Sequence, residues 1–588
     1  MLTTALPAGF LATTGDHPAV APEGVHADAV VCGPASLVYW GHRPVAGAPP
    51  ERPTIVLSRV ARRTAGAVGD PEVIESMRDR PERLTDLLPP FGAVAGDDAG
   101  VRMVADSMGF QHLYYTVPGS ASVVLSSTAL LAARATRAGL DDAAVGVQSL
   151  LGWQLGQRTL FEGVRKLSPG AVADVGHDGL ALRDPAPKSR EPVERRTAVL
   201  RAAALLRTSL AAVLDEYPRA VLQLTGGMDS RLLLSAIPPS RRRGLRAMTL
   251  DVPGKGDVAI ARSLAQRDGL EHDVRGLADV AQTSPAEAWT LCRAEATRLD
   301  AMADPVALAA QRIAERAFEQ GVRISGLGGE VARGFYYTGR ITERPQTRKD
   351  AERLALWRMF VNDAVEPGVL TAEFSASARE TALDAVHAAL LGGGTPWLPA
   401  TDELYVRHRM QRWAGATDTA VSNERVVINP MLDHGFLDLA ARLSPQDKAG
   451  SRFLAELQME LDPQLGRIPL DGRPAPASYA HPSPLHPARQ SLDTAMRIAR
   501  KAAQRVRRDN RAPAGGVVLA GKVVEHWRAE PQSVRGLWGS PYLDEAWLGR
   551  MLDGAVQPRP STVALLTNLL VATGQDEPAP SGSGATSS

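Results

Sequence analysis

A seven-residue string, LTGGMDS at 224–230, follows a short apolar run, RAVLQL at 219–224, and precedes an apolar helical stretch, RLLLSAI at 231–237. No other part of the chain narrows the fold so far. The run is unalternated, as in a strand covered on both faces. Two successive glycines, Gly226 and Gly227, remove the side chains that would keep an anion away from the backbone. Thr225, Ser230 and the first amides of the following helix would complete an anion cradle, helped by the helix dipole. Asp229 is out of place as a direct phosphate contact, because its charge repels the ligand. It makes sense if a divalent ion sits between carboxylate and phosphates. No GxxxxGKS or GxxxxGKT run occurs, so the loop is not of the Walker type. A bare Gly-Gly turn would be an ordinary strand–helix connection; the complete string points to a nucleotide pyrophosphate.

The alternation continues downstream. LRAMTLDV (245–252) reads as a second strand, 257–269 as a helix and GVRIS (321–325) as a further strand. Strand, turn and helix repeated in this way predict a parallel sheet with helical crossovers. A helix over 197–214 precedes it, with Val199, Leu200, Ala203, Leu206, Leu210 and Val213 on one face. From about 350 to 470 the pattern is mainly helical. The first 190 residues differ. FGAVAG (91–96), VRMVAD (101–106), HLYYTV (112–117) and SVVLSS (122–127), separated by turn residues, predict an antiparallel meander followed by a helix over 127–135. A second β region with a turn at Gly179 spans 171–184. The chain therefore divides into a unit at 1–185, a charged and Pro-containing linker at 186–196, a larger unit at 197–574, and a Pro/Ser/Gly-rich tail at 575–588 expected to be disordered.

Charge and composition exclude several classes. Sixty-six basic side chains face 65 acidic ones, a formal charge of +1, which argues against broad nucleic-acid binding. Charged residues or glycine interrupt every apolar run before the ~18 residues of a membrane span, and the first twenty residues lack a basic leader followed by an apolar core. Two cysteines, Cys32 and Cys292, make neither a disulfide framework nor a metal knuckle, and a cytoplasmic setting is the simplest. The twelve histidines are scattered, with no HExxH; Glu271-His272-Asp273 reads as a solvated turn. The stretch 491–508 is Arg-rich with helical period: a docking helix for an acidic partner or lipid headgroups, or a surface helix with solvated arginines.

LTGGMDS resembles the pyrophosphate loop of ATP pyrophosphatases of the asparagine synthetase superfamily. The resemblance extends over nearly the whole chain. Pro253-Gly254-Lys255-Gly256-Asp257 looks like the family's PGxxD segment, and SGLGGE (325–330) like the loop with its second acidic metal ligand. NPMLD (429–433) and SPQDK (444–448) resemble later landmarks. Residues 96–116 and 159–172, with the D-x-x-G-x-x-x-L-Y-Y pattern at Asp106–Tyr115, resemble the N-terminal glutaminase half. The fold implied is α/β: an Ntn-hydrolase-like, glutaminase-type sandwich, then a doubly wound parallel-sheet ATP pyrophosphatase domain of the adenine nucleotide α-hydrolase kind with added helices. By position, Leu224, Thr225, Gly226, Gly227 and Ser230 would contact ATP, Asp229 and Glu330 would bind Mg2+, and Leu250, Ser325 and Gly326 would border the adenosine. Glu330 departs from the family's usual Asp but keeps a hard oxygen ligand.

Two departures set the implied reaction. Leu2 stands where a glutamine-dependent asparagine synthetase has its nucleophilic cysteine, and no glutamine-binding Asn-Gly-Glu segment is evident. The expected amine then comes with the substrate. Leu327 stands where β-lactam-forming relatives place a proton-accepting Tyr, three residues before the second metal ligand. Their catalytic Lys has no clear counterpart; Lys448 and Arg452 are the nearest cations, either to stabilise phosphate charge or to serve as surface ion pairs. Arg333, Tyr336 and Tyr337 would face the acyl substrate or serve the core. GLGGEVARGFYY (326–337), YVRHRMQRWAG (405–415) and LGRIPLDGRP (465–474) look most like actinobacterial lasso peptide cyclases. That likeness implies an AMP-forming carbon–nitrogen ligase that closes a macrolactam in a precursor core peptide. Its upstream partners would be a leader-binding recognition protein and a leader peptidase. A small-molecule amide or β-lactam-type synthetase, and a catalytically silent ATP-binding scaffold, remain the alternatives.

Overall fold

The computed structural model describes every residue except 1–5, 16–17, 118–121, 187–190, 253–255, 317, 319–320, 338–340, 481–514 and 575–588. Leu2, most of the PGxxD segment, the Arg-rich stretch 491–508 and the tail lie outside the described residues.

The first unit is built from two antiparallel sheets. One has the strand order Val164–Lys166, Tyr114–Thr116, Val124–Ser126, Gly9–Thr14, Ala35–Trp40, Asp28–Cys32; the other runs Gly179–Arg183, Val172–Gly176, Gly100–Ala105, Gly92–Asp97, Thr54–Val56. Phe10, Leu37 and Leu125 of the first sheet meet Val94, Met103 and Ala173 of the second in one core. The two-residue period of a strand sends their neighbours the other way. Leu11, Val38 and Val124 join a helical core that includes Ala129–Thr136, while Ala93, Val104 and Val172 pack on the helix Asp70–Asp79. The layers are thus helix, sheet, sheet, helix.

The single meander expected over 91–127 is therefore corrected. Gly92–Asp97 and Gly100–Ala105 form a hairpin in one sheet, Tyr114–Thr116 and Val124–Ser126 in the other. The chain crosses between sheets around Asp106, whose buried carboxylate accepts the amides of Phe91, Met108, Phe110 and Gln111 at 2.9–3.1 Å.

In the larger unit five parallel strands lie in the order Glu271–Arg275, Arg246–Leu250, Val221–Gln223, Arg323–Ile324, Val427–Ile428. The earliest of them is central. The chain adds two strands on one side through the helices Asp229–Ala236 and Asp257–Asp268, then crosses to the other. Ligand crevices in such sheets form at this reversal, beyond the carboxyl ends of the strands. Two strands differ from expectation. Glu271-His272-Asp273 is not a solvated turn but the start of an edge strand, whose polar, half-exposed composition carries no apolar signal. Val427–Ile428 is only two residues long, too short for a period to show.

The helix Arg195–Glu216 starts inside the expected linker, with Glu194 capping the amides of Arg196 and Thr197. By length and composition it alone among the described helices would span a membrane, and half of its apolar window is buried. It packs on the helices Asp229–Ala236 and Arg452–Leu461.

Asp106→Asn would leave two of the four amides at the sheet crossing without an acceptor. It should destabilise the first unit by about 2–4 kcal/mol, measured as an earlier urea transition with the parent's circular dichroism at zero denaturant.

Candidate functional site

The loop after Val221–Gln223 opens at the reversal point of the parallel sheet. Leu224 anchors it: its side chain is fully buried, its amide donates to the Met248 carbonyl at 2.9 Å and its carbonyl accepts the Thr249 hydroxyl at 2.7 Å. Its buried side chain sets the base of the loop. The Thr225 amide donates to Ser230 Oγ at 3.0 Å, and the Gly227 amide to Thr225 Oγ1 at 3.2 Å. The Gly226 amide donates to Asp257 Oδ1 at 3.0 Å, while its carbonyl accepts the Asp471 amide at 3.1 Å. A Cβ at Gly226 would press on both Asp257 and Asp471, so these two segments fix where the loop lies.

Asp229 opens the helix Asp229–Ala236, and Glu330 sits on the single turn Gly329–Ala332 beyond the strand Arg323–Ile324. Arg333 bridges the two carboxylates. Arg333 stands 2.9 Å from Glu330 Oε1 and 3.8 Å from Asp229 Oδ2. Asp229 Oδ1 is buried with no hydrogen-bond partner. Burial, and then the Glu330 charge, push the Asp229 carboxyl up to about 7, against the pull of Arg333 and Arg473. Gly329 is required here: a Cβ would collide with the Asp229 carboxylate. Two carboxylates facing one another, one with an unpartnered buried oxygen, could hold a divalent cation between them. Among the described residues no group of three or more His, Cys, Asp and Glu is set to hold a metal. Two carboxylates completed by water and phosphate match the habit of Mg2+.

The remaining expected residues fall into two sets. Ser325 and Gly326 follow the adjacent strand; the Ser325 amide donates to the Ile428 carbonyl at 2.9 Å, and Gly326 packs against the Ser230 amide. Leu250 ends its strand half-buried beside Met248 and Val221. These line the same sheet edge as the glycine loop. Lys448 and Arg452 are engaged elsewhere. Lys448 is buried with Nζ 2.7 Å from Asp402, which also accepts the Tyr337 hydroxyl at 2.8 Å. Arg452 lies on an exposed helix start, 3.2 Å from Glu456 one turn on. Tyr336 is buried in an aromatic group with Phe335 and Tyr405.

Sequence reasoning missed the strap over the loop. Arg231, fully buried, donates to the carbonyls of Leu465, Ile468 and Pro469, and burial pulls its guanidinium down to about 10. These bonds hold the turn that presents Asp471 to Gly226 and brings the Arg473 charge to Asp229. The Asp471-Gly472 pair between Pro469 and Pro474 was the available signal, a turn sequence inside a segment noted only for likeness. Of the two cysteines, Cys32 is buried, and burial with Asp97 and Asp98 pushes its thiol up to about 11. It is no poised nucleophile. No protein-family model matches the chain, and no curated protein matches it.

The Asp229 shift fixes a pH dependence. With the folded carboxyl at about 7 against an ordinary 3.8, the metal-free fold binds the extra proton, so raising the pH from about 4 to about 7 lowers stability. Asp229→Asn should therefore be more stable than the parent at pH 8 without divalent ions, by roughly 1–3 kcal/mol, with the gain shrinking toward pH 5. Urea unfolding in EDTA checks the sign, and added Mg2+ should stabilise the parent alone.

Proposed function

We propose that the chain is an ATP-dependent, AMP-forming peptide cyclase that joins an Asp or Glu side-chain carboxylate of a precursor peptide to that peptide's own α-amine. The observation that carries this reading is the buried, unpartnered Asp229 Oδ1 beside Glu330, next to a glycine loop at the sheet's reversal point. The strand order supports the ATP pyrophosphatase assignment, and the helix–sheet–sheet–helix layering supports the glutaminase-type one. The resemblance of 326–337, 405–415 and 465–474 supports the lasso cyclase branch.

In this reading Asp229 and Glu330 would hold Mg2+, which supplies positive charge to the phosphate oxygens. Thr225, Gly226, Gly227 and Ser230 hold the pyrophosphate moiety, and Leu250, Ser325 and Gly326 border the adenosine. Arg473 and Arg333 add charge where it builds on the leaving group. A carboxylate oxygen of the peptide bonds to the α-phosphorus as the α–β anhydride breaks, releasing pyrophosphate and leaving an acyl-adenylate. The neutral α-amine then bonds to the acyl carbon, AMP leaves, and the amine gives up one proton. Both reacting groups belong to one molecule, so holding it folded converts a bimolecular step into a unimolecular one, a gain of several kcal/mol. The setting proposed is cytoplasmic, with a leader-binding protein and a leader peptidase acting upstream.

With ATP, Mg2+ and a leaderless precursor peptide, the protein should release AMP and pyrophosphate and give a product lighter by one water. Acetylating the peptide's α-amine should stop ring closure while pyrophosphate exchange continues. Asp229→Asn should lower both by at least ~100-fold. ADP as the nucleotide product, or cyclisation of the acetylated peptide, would overturn the assignment.

A further inference from the structure

Two short π-helices, Ala355–Met359 and Tyr405–Ala414, bring side chains to one aromatic ring, that of Phe335. Helices of this kind are rare and gather at functional sites. Phe335 closely follows the turn Gly329–Ala332 that carries Glu330. Arg358 stands 5.7 Å from the centre of its ring and Arg409 5.6 Å. Tyr405 stacks on the same ring with centroids 4.4 Å apart. Tyr405 lies in the field of Glu330 and Arg333 as well as that of Arg409, so this wall adjoins the carboxylate pair.

Arg409 is the unusual member. Its guanidinium also lies 4.7 Å from the Trp413 ring and 6.0 Å from that of Trp153, a residue of the sandwich unit. Ring contacts stabilise the positive charge but give the five N–H groups no strong acceptor. Among the described residues no carboxylate stands within ion-pair distance of Arg409. Its polar neighbour is the Tyr336 hydroxyl, a buried neutral group. Asp363 feels the Arg409 charge only at longer range, and burial pushes that carboxyl up to about 7, so it offsets the cation weakly. Arg358, by contrast, gives an N–H to the Phe335 carbonyl at 3.0 Å. Arg409 is half-buried and Trp413 is exposed, so the guanidinium and its ring surface can be reached from solvent. A planar cation of this kind takes a carboxylate through two parallel N–H···O bonds, which fixes orientation as well as position.

We propose that Arg409 is a specificity residue that receives the reacting side-chain carboxylate of the substrate, with Phe335 and Trp413 offering ring surface to the adjoining residue. This rests on reading the chain as a peptide cyclase. A carboxylate approaching the α-phosphate is repelled by the phosphate charge, and a cation outside the glycine loop offsets that repulsion while the acid is positioned. Once the oxygen–phosphorus bond forms, the acyl carbon no longer carries a carboxylate charge and the pairing with Arg409 is lost. Arg409 thus selects and orients the acid, and its removal raises KM more than it lowers kcat.

The test uses the full chain with Mg2+ and α,β-methylene ATP, which cannot transfer AMP, and reads binding by calorimetry. Three probes separate the sources of a carboxylate: N-acetyl-aspartyl-phenylalanine amide, its asparaginyl analogue, and N-acetyl-asparaginyl-phenylalanine with a free α-carboxylate. The aspartyl amide should bind at least tenfold more tightly than either of the others. Arg409→Gln should remove that preference and leave nucleotide binding unchanged. Arg409→Lys, which keeps the charge and loses the paired donors, should retain only part of it. Equal binding of the aspartyl and asparaginyl amides by the parent, or an undiminished preference in folded Arg409→Gln, overturns the site. Tighter binding of the free α-carboxylate also overturns it, since the wall would then hold a chain terminus. If the aspartyl probe binds through Arg409 but no peptide yields AMP, the cyclase reading falls and the carboxylate site stands. If AMP and macrolactam form with peptide KM unchanged in Arg409→Gln, the site falls and the cyclase reading stands.

Discussion

Placing Asp229 and Glu330 at one strand-end crevice sets two like charges against each other in a partly dry place, and the surrounding construction answers that repulsion. Arg333 reaches both carboxylates from the turn that holds Glu330, so the charge is offset within four residues of chain. Arg473 adds a second cation from a remote segment. Even so, one oxygen of Asp229 is left without a partner and its proton affinity stays high. Repulsion of this kind would turn to attraction if a multivalent cation bound between the two carboxylates.

The glycine loop is equally dependent on distant chain. Gly226 is held by Asp257 from the next helix and by Asp471 from more than two hundred residues on, and Gly256 donates to Asp471 at 3.2 Å. Arg231 anchors the later segment from below through three carbonyl oxygens. These bonds fix the loop, and an anion reaching the Thr225, Gly226 or Gly227 amide would replace the side-chain oxygen to which each now donates. A carboxylate now accepting the Gly226 amide also marks that amide's position as one suited to an anionic oxygen.

The sequence was most legible where local rules and tertiary placement agree. The run before LTGGMDS, the loop and the helix after it are found within a residue or two of expectation, because an apolar strand, a glycine turn and a short apolar helical stretch are all local signals. Legibility failed where an element owes its existence to partners. The edge strand Glu271–Arg275 is polar because one side faces solvent, and the pairing of the hairpins into separate sheets depends on the buried Asp106, a single residue with no periodic trace. At the site, Asp229 and Glu330 stood out by motif, whereas Arg473 did not, since its relevance comes from a fold-back that no local pattern encodes. Lys448 and Arg452 stand out in sequence by charge alone, which says nothing of their partners: buried Lys448 pairs with Asp402, and exposed Arg452 pairs with Glu456 along its own helix.

The first sheet's second apolar face has a consequence for how the chain is made. Leu11, Val38 and Val124 belong to the same core as Trp527, Val563 and Leu566, and the helix Ala129–Thr136 has its first amide bound by Asp300. Tyr542 donates to Asp142 at 2.7 Å, and Asn568 to the Ala303 carbonyl at 2.8 Å. During synthesis this sheet therefore keeps one face uncovered until residues about four hundred positions later have followed. A polypeptide cut near residue 190 would keep an unpaired greasy surface and would need a chaperone or aggregate. Loss of the helix Pro560–Thr573 would thus uncover the outer face of a sheet more than four hundred residues earlier in the chain.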